Sequence, residues 1–283
     1  MEVRRLKVQT ENQWFQLAET LKRNRRKRHQ QQQFLVEGVR AINGLTEAGN
    51  WSVEAFLFKR QDTLSNWAKQ ILEKNDCPWH LELSSELMAK LSDREDTSEL
   101  LAIVNMQKIT LADLPTSKDA LIVLSDRPAS PGNLGTLIRS CDALGAHGLL
   151  VSGHAADLYD PQALRASAGT FFNVPTLQIH DPLDFVAWIE NVRHTLPSLQ
   201  IVGTSEQDAS PVAACDFTRP TLLIIGNEAR GMSRRNHELC DCIVSIPTTG
   251  KTQSLNMACA GTVVLYEIQS QRLAGSSGKE EAS

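Results

Sequence analysis

Three short polar clusters in the second half of this 283-residue chain carry residue types from which a reaction site can be built. The first runs Asp126-Arg127-Pro128-Ala129-Ser130-Pro131-Gly132-Asn133-Leu134-Gly135-Thr136-Leu137-Ile138-Arg139. The second is Gly226-Asn227-Glu228-Ala229-Arg230-Gly231-Met232-Ser233. The third is Ile246-Pro247-Thr248-Thr249-Gly250-Lys251-Thr252-Gln253-Ser254-Leu255-Asn256. Each offers glycine, which lets a backbone approach a ligand closely, and among the polar residues they add are Arg139, Glu228, Ser254, Asn133 and Asn256. Singly, each has an ordinary structural explanation: Pro/Gly before Asn is a capped helix start, and Glu after Gly-Asn is an exposed turn residue. Together they mark a ligand site, because each sits where a strand ends, and open α/β sheets bind ligands beyond the carboxyl ends of their strands.

Several other chemistries are excluded by spacing. Gly250-Lys251-Thr252 resembles the end of a phosphate-binding loop, but the glycine required five positions earlier is Ser245. No Gly-x-Gly-x-x-Gly follows an expected strand, so a dinucleotide fold is not indicated. There is no Gly-x-Ser-x-Gly elbow, and the seven histidines do not cluster; His147, His154, His180 and His237 read as structural or surface residues. The six cysteines, Cys77, Cys141, Cys215, Cys240, Cys242 and Cys259, form no Cys-x-x-Cys pair and none stands at zinc-finger spacing from a histidine. They read as idle thiols in a reducing compartment, with no metal expected and a cytoplasmic location. No apolar run approaches a bilayer span, and no signal-peptide core follows Met1.

The elements that must position these clusters follow from periodicity. Leu121–Leu124, Gly148–Val151, Leu199–Gly203, Thr221–Ile225 and Ile243–Ile246 are short, nearly continuous apolar runs, the mark of buried parallel strands. Helical patterns at Asn133–Leu144, Pro161–Ala168, Asp184–His194 and Ser254–Gln271 lie between or after them. The first part of the chain alternates similarly. A capping box at Thr10 and Gln13 opens a helix through Trp14, Leu17, Ala18 and Leu21 that ends in a basic run. Strands are expected at Phe34–Val36, Val53–Phe58 and Leu100–Met106, and helices at Gly38–Ala48, Asp62–Lys74 and Ser84–Leu91. The expected organisation is a small α/β domain over 1–108, a linker over 109–119, a larger mostly parallel α/β domain over 120–273, and a disordered tail over 274–283.

Charge is uneven. Residues 1–110 carry 17 Lys/Arg against 15 Asp/Glu, whereas residues 111–283 carry 12 against 18. Lys22–Arg28 places six cations in seven positions, which points to a nucleic-acid contact through Arg25, Arg26 and Arg28. The alternative is a solvated helix end whose cations suit the macrodipole.

The three clusters resemble the three motifs of the SpoU (TrmH-type) RNA 2′-O-ribose methyltransferases of the SPOUT superfamily. Pro131-x-Asn133-Leu134-Gly135-x-x-x-Arg139 is similar to the first, Ile225-Gly226-Asn227-Glu228-x-x-Gly231-Met232 to the second, and Ile246-Pro247 with Ser254-Leu255-Asn256 to the third. Arg165-Ala166-Ser167-Ala168-Gly169 resembles the family's Arg-x-Ser-x-Gly segment, and Phe34–Gly38 its substrate-binding domain, a fold like ribosomal protein L30e. Two places depart from the pattern: Thr252-Gln253 before Ser-Leu-Asn, and Thr97-Ser98-Glu99-Leu100 near the end of the first domain.

The resemblance implies a deep trefoil knot in the second domain and S-adenosylmethionine as methyl donor, held by Thr204, Gly226, Ile246 and Leu255. It implies catalysis by Arg139 with Asn133, Glu228, Ser254 and Asn256, an RNA contact at Arg165, and a homodimer. The implied substrate is structured RNA, with the separate first domain favouring large-subunit ribosomal RNA over transfer RNA. The competing readings are a tRNA ribose methyltransferase and a non-catalytic RNA-binding protein of the same fold.

Overall fold

The structure, a computed structural model, describes residues 3–59, 64–92, 97–206, 209–251 and 254–280, with side chains as far as 275. In chain order the elements are β1 (Arg4–Val8), α1 (Gln13–Arg23), α2 (Arg25–Gln31), β2 (Gln33–Glu37), α3 (Val39–Ala48), β3 (Val53–Phe58), α4 (Asn66–Lys74), β4 (Trp79–Leu83), α5 (Ser85–Leu91) and β5 (Leu100–Asn105). They continue with β6 (Leu121–Asp126), α6 (Pro131–Ala143), β7 (Gly148–Ser152), α7 (Pro161–Ala166), β8 (Thr176–Gln178), α8 (Pro182–Thr195) and β9 (Gln200–Thr204). Last come β10 (Ser210–Pro211), β11 (Thr221–Ile225), α9 (Arg234–Glu238), β12 (Cys242–Ser245) and α10 (Met257–Glu280).

Two compact units result. One comprises residues 1–108 with 159–173, the other 109–158 with 174–283. Residues 159–173, inside the span expected for the second domain, thus belong with the first unit. The cause is local: Phe34 and Trp51 pack around Tyr159, Phe171 and Phe172, and Trp51 Nε1 donates to the Phe172 carbonyl at 3.1 Å. Gly44 of α3 lies so close to Gly169 that a Cβ there would meet the Gly169 carbonyl oxygen at 2.2 Å. The glycine of the Arg-x-Ser-x-Gly segment is therefore a packing residue.

The first unit holds a five-stranded mixed sheet, β1-β4-β3-β5-β2, in which β5 runs antiparallel to both neighbours. α1 and α5 cover one face, burying Phe15, Ala18, Leu21, Leu87, Met88 and Leu91 against Leu35, Leu57, Leu81 and Ile103. α1 starts two residues later than the Thr10 capping box places it, because Asn12 Oδ1 accepts from the Trp14 and Phe15 amides. The basic run divides at Asn24: Lys22 and Arg23 end α1, and Arg25–Arg28 lie in a separate helix, α2, that Asn24 caps. Asp62 and its neighbours from 60 to 63 lie outside the described residues, and α4 is capped by Ser65.

The second unit is built on a seven-stranded sheet, β10-β12-β9-β11-β6-β7-β8, with every pairing parallel. Its central strands, Leu121–Asp126 and Thr221–Ile225, are buried along their whole length, as expected of strands covered on both faces. α10 continues to Glu280, into the stretch expected to be disordered and through Gly275 and Gly278; residues 281–283 lie outside the described residues. Arg272 pins this helix, its guanidinium donating to the carbonyls of Phe217, Asp119, Ala120 and Arg219 at 2.7–3.3 Å.

Candidate active site

The carboxyl ends of β9, β11 and β12 converge on one cleft of about 720 Å³. Thr204 enters it from the end of β9, where its hydroxyl donates to the Ile224 carbonyl at 3.3 Å. Gly226 follows β11, Ile246 follows β12, and Leu255 precedes α10; all four line the cleft, as do Ser254 and Glu228. Ile225, Val244, Ile246, Leu255 and Met257 supply an apolar wall, and Thr204, Asn227 and Ser254 supply polar groups. A cleft of this size, with polar groups set around an apolar wall, suits a nucleoside-sized ligand.

The three motif turns are joined by side-chain hydrogen bonds. Asn133 sits in the first turn of α6, behind the Ser130 cap and Pro131. Its Nδ2 donates to Glu228 Oε1 at 2.8 Å, and its Oδ1 accepts from Asn256 Nδ2 at 3.1 Å. Asn256 in turn caps α10 through its Oδ1, which accepts from the Ala258 amide at 2.9 Å. Two side-chain amides and one carboxylate, one group from each motif, are therefore joined in a single chain.

The turn after β11 is rigid for its own reasons. Asn227 and Gly231 exchange backbone hydrogen bonds at 3.0 Å in both directions, and Asn227 Oδ1 accepts from the Ala229 and Arg230 amides. A Cβ at Gly226 would lie 2.6 Å from Gly231 C and from Met232 N. Glycine at 226 is thus required by the fold of its own turn, before any ligand is considered.

Arg139 is not gathered with the others. It lies six residues beyond Asn133, about 9 Å along the helix and about 120° around it. It is exposed, it does not line the cleft, and among the described residues it makes no hydrogen bond or ion pair. Thr252 and Gln253, the departure in the third motif, lie outside the described residues.

Of the four expected RNA contacts, Arg28 must be corrected. It is only 2% exposed, its Nη1 donates to the Leu21 carbonyl at 2.9 Å and the Lys22 carbonyl at 3.2 Å, and its Nη2 lies 3.5 Å from Asp160 Oδ2. It satisfies carbonyls at the C-terminal end of α1 that the helix itself leaves open. Arg25 and Arg26 are exposed on α2, and Arg165 is exposed with its Nη2 3.8 Å from Glu37 Oε2.

No group of three or more His, Cys, Asp or Glu among the described residues is arranged to hold a metal ion. Burial and the neighbouring Cys242 raise the Cys215 thiol to about 12, and burial raises Cys240 to about 12. These thiols are poor nucleophiles near neutral pH. The residues that motif reading did not single out are Asp126, Arg127 and Asn227; a charged pair directly following a fully apolar strand was the available signal.

Residues 120–266 match the SpoU rRNA Methylase family, and residues 12–102 match the SpoU L30e-like domain. The chain is 42% identical to a 23S rRNA (uridine(2479)-2′-O)-methyltransferase of Streptomyces viridochromogenes, over 95% of this chain and 93% of that one. The structure of the SpoU methyltransferase AviRb from the same organism, in complex with AdoMet, is similar with a TM-score of 0.88 at 43% identity, covering 93% of this chain and 98% of that one. The A. aeolicus TrmH/SpoU tRNA modifying enzyme is similar over 56% of this chain and 78% of that one, with a TM-score of 0.50 at 30% identity.

Proposed function

Because the chain belongs to the SpoU rRNA methylase family, we propose that it transfers a methyl group from S-adenosylmethionine to a ribose 2′-hydroxyl of large-subunit ribosomal RNA. The observation that carries the reading is the Glu228–Asn133–Asn256 chain of hydrogen bonds, which locks the three motif turns together beside a nucleoside-sized cleft. Similarity to a 23S rRNA enzyme over 95% of the chain, against 56% for the tRNA-modifying enzyme, favours ribosomal over transfer RNA. No described helix is long and apolar enough to cross a membrane; a ribosomal RNA substrate supports a cytoplasmic location.

Bound S-adenosylmethionine supplies an electrophilic methyl group on a sulfonium. Thr204, Gly226, Ile246 and Leu255 would hold it, the last two through apolar walls. A 2′-hydroxyl is a weak nucleophile near pH 7, so the site must accept its proton or stabilise the growing oxyanion. Arg139 cannot be the base, since a guanidinium stays protonated and has no acceptor. It clamps the neighbouring phosphate and steadies the developing charge, and the proton leaves through a phosphate oxygen or water. Asn133, Glu228, Ser254 and Asn256 keep the ribose and the loops in register.

On this reading a second copy of the chain completes the site. Arg139 stands away from its own cleft, while α10 presents Cys259, Val263, Tyr266, Ser270 and Leu273 to solvent at alternating four- and three-residue spacing. Val263, Tyr266 and Leu273 are 39%, 64% and 58% exposed, an apolar seam of the kind helices bury against a partner. α6 packs on the same helix, with Ser140 and Thr262 hydroxyls 2.6 Å apart, so Arg139 rides beside the seam. The order β10-β12-β9-β11, in which the chain goes out to the edge, returns inward and goes out again, supports the threading of a trefoil knot. Arg25, Arg26 and Arg165 remain as RNA contacts.

The deciding experiment incubates the protein with isotopically labelled S-adenosylmethionine and separate 23S rRNA and tRNA transcripts, then digests the RNA to nucleosides. A labelled 2′-O-methyl nucleoside from rRNA is expected. Label only in tRNA, on a base, or nowhere overturns the reading in favour of a tRNA enzyme, a base methyltransferase or a binder. Arg139→Ala should abolish transfer and leave cofactor binding intact, a loss of roughly 10²–10³ in rate. Mixing Arg139→Ala with Asn256→Ala under subunit exchange should restore activity if one site draws the two residues from different chains.

A further inference from the structure

The turn between β6 and α6 holds a buried acid and a backbone conformation that none of the roles above uses. Asp126, at the end of β6, is 2% exposed. Its Oδ1 accepts from Ser152 Oγ at 3.0 Å and from Arg127 Nε at 3.1 Å, and its Oδ2 accepts from the Ser233 amide and, at 3.2 Å, from Arg127 Nη2. Arg127 has φ of 55°, the left-handed region that a branched-chain or long side chain rarely occupies. Gly153 leaves room for the arginine stem, since a Cβ there would meet Arg127 Cγ at 2.6 Å.

This conformation turns both the carbonyl and the side chain of Arg127 toward the second motif. The carbonyl accepts from Asn227 Nδ2 at 2.7 Å, and Nη2 donates to the Gly231 carbonyl at 3.0 Å. Asn227 and Gly231 are the two ends of the rigid turn described above, and Ser233 caps α9 just beyond it. One Asp-Arg pair therefore holds the turn at its start, its end and its exit. That turn carries Glu228, the partner of Asn133, and forms a wall of the cleft.

We propose that Arg127, oriented by Asp126, is the positioning residue that sets the register between the first and second motif turns and so fixes Glu228 and the cofactor wall together. Backbone strain that persists beside a functional site is held there by the contacts it makes possible. The fork of a guanidinium is needed, because it must meet a carboxylate edge and a carbonyl at once, which an ammonium cannot do with the same geometry. The inference rests on the methyltransferase reading above, and the wild-type assay separates the two: if wild type transfers no methyl group, that reading fails, whereas the variants below test Arg127 only against an active wild type.

Arg127→Gly is the informative change. Glycine adopts the left-handed backbone readily, so the Asn227 bond to the residue-127 carbonyl survives while the side-chain tether is removed. With a 23S rRNA transcript, the expected result is a kcat lower by roughly 10²-fold, as misplacement by about 1 Å can produce. KM for S-adenosylmethionine should rise, and amide exchange at Ala229, Arg230 and Gly231 should quicken. Arg127→Lys keeps a cation beside Asp126, guards against a folding failure in the glycine variant, and should recover only part of kcat. Values of kcat and KM within twofold of wild type in either variant overturn the proposal. A fall in melting temperature with kcat per folded molecule unchanged also overturns it, since Arg127 would then be structural alone.

Discussion

Gly226→Ala adds one methyl group, and the structure says where it must go. The new Cβ would lie 2.6 Å from Gly231 C and Met232 N, and 3.1 Å from Gly231 Cα. Restoring ordinary contact requires the 227–232 turn to retreat by about 0.8 Å, because backbone atoms cannot swing aside as a side-chain end can. The Glu228–Asn133 bond is now 2.8 Å. A shift of that size directed along it takes the pair to about 3.6 Å, beyond hydrogen-bonding range. Overpacking of this kind costs about 1–3 kcal/mol, which in a unit of this size lowers the melting temperature by roughly 2–12 °C. The rate of transfer should fall by roughly 10²-fold, and S-adenosylmethionine should bind more weakly. Calorimetric melting without cofactor, titration calorimetry with it, and single-turnover transfer measure the three effects. If the variant melts like wild type but binds cofactor poorly, glycine at 226 serves ligand approach alone and the steric reasoning here is refuted. If all three quantities are unchanged, the turn does not govern the site.

Arg28→Ala should destabilise the protein by about 2–4 kcal/mol, below the about 3–5 kcal/mol of a fully buried pair because Asp160 is partly exposed; neutralising the exposed Arg25 and Arg26 should lower the melting temperature less and reduce the salt dependence of RNA binding. Equal effects of the two changes on stability would refute that division. Burial, aided by Arg5, holds the His80 ring below its usual pKa, so the unfolded chain takes up a proton near pH 6.5 that the folded chain refuses. Stability is therefore present at neutral pH and declines as pH falls below about 6.5, with a limiting slope of about 1.4 kcal/mol per pH unit; His80→Leu should flatten that slope in melts between pH 7.5 and 5.5, and an unchanged slope counts against it. Tyr266→Asp should weaken dimerisation by about 100-fold or more, since a twofold interface carries the buried charge twice. Light scattering showing monomeric wild type, or an unshifted dissociation constant, removes α10 from the interface.

The strands that carry the site were readable because burial on both faces forces unbroken apolar runs, as in Leu121–Leu124 and Thr221–Ile225. β1 was not: Arg4-Arg5-Leu6-Lys7 is exposed at a sheet edge and has no apolar periodicity to betray it. β4 mixes His80 and Glu82 into its five residues, and β8 and β10 are three and two residues long, below what any pattern can resolve. Arg28 misled for a different reason. A cation's charge is visible in the sequence, but whether it points to water or caps a neighbouring helix depends on packing that a local run does not encode. Asn133, Glu228 and Asn256 were identified by motif, yet their direct bonding joins residues 95 and 123 positions apart. Arg139 was identified too, and its separation from them follows only from counting helical turns.

The insertion of residues 159–173 into the first unit bears on how the chain is made. Synthesis proceeds from the N-terminus, and domains commonly fold as they emerge. Here the apolar surface of Phe34 and Trp51 has no cover until Tyr159, Phe171 and Phe172 have left the ribosome. By then β6, α6 and β7 have already been synthesised. The first unit is thus the first to begin and not free to finish first, and the nascent chain carries an open aromatic face through the synthesis of about sixty further residues. A fragment ending at residue 108 would keep that face permanently uncovered, so the boundary for separate expression of the first unit cannot be drawn at the linker.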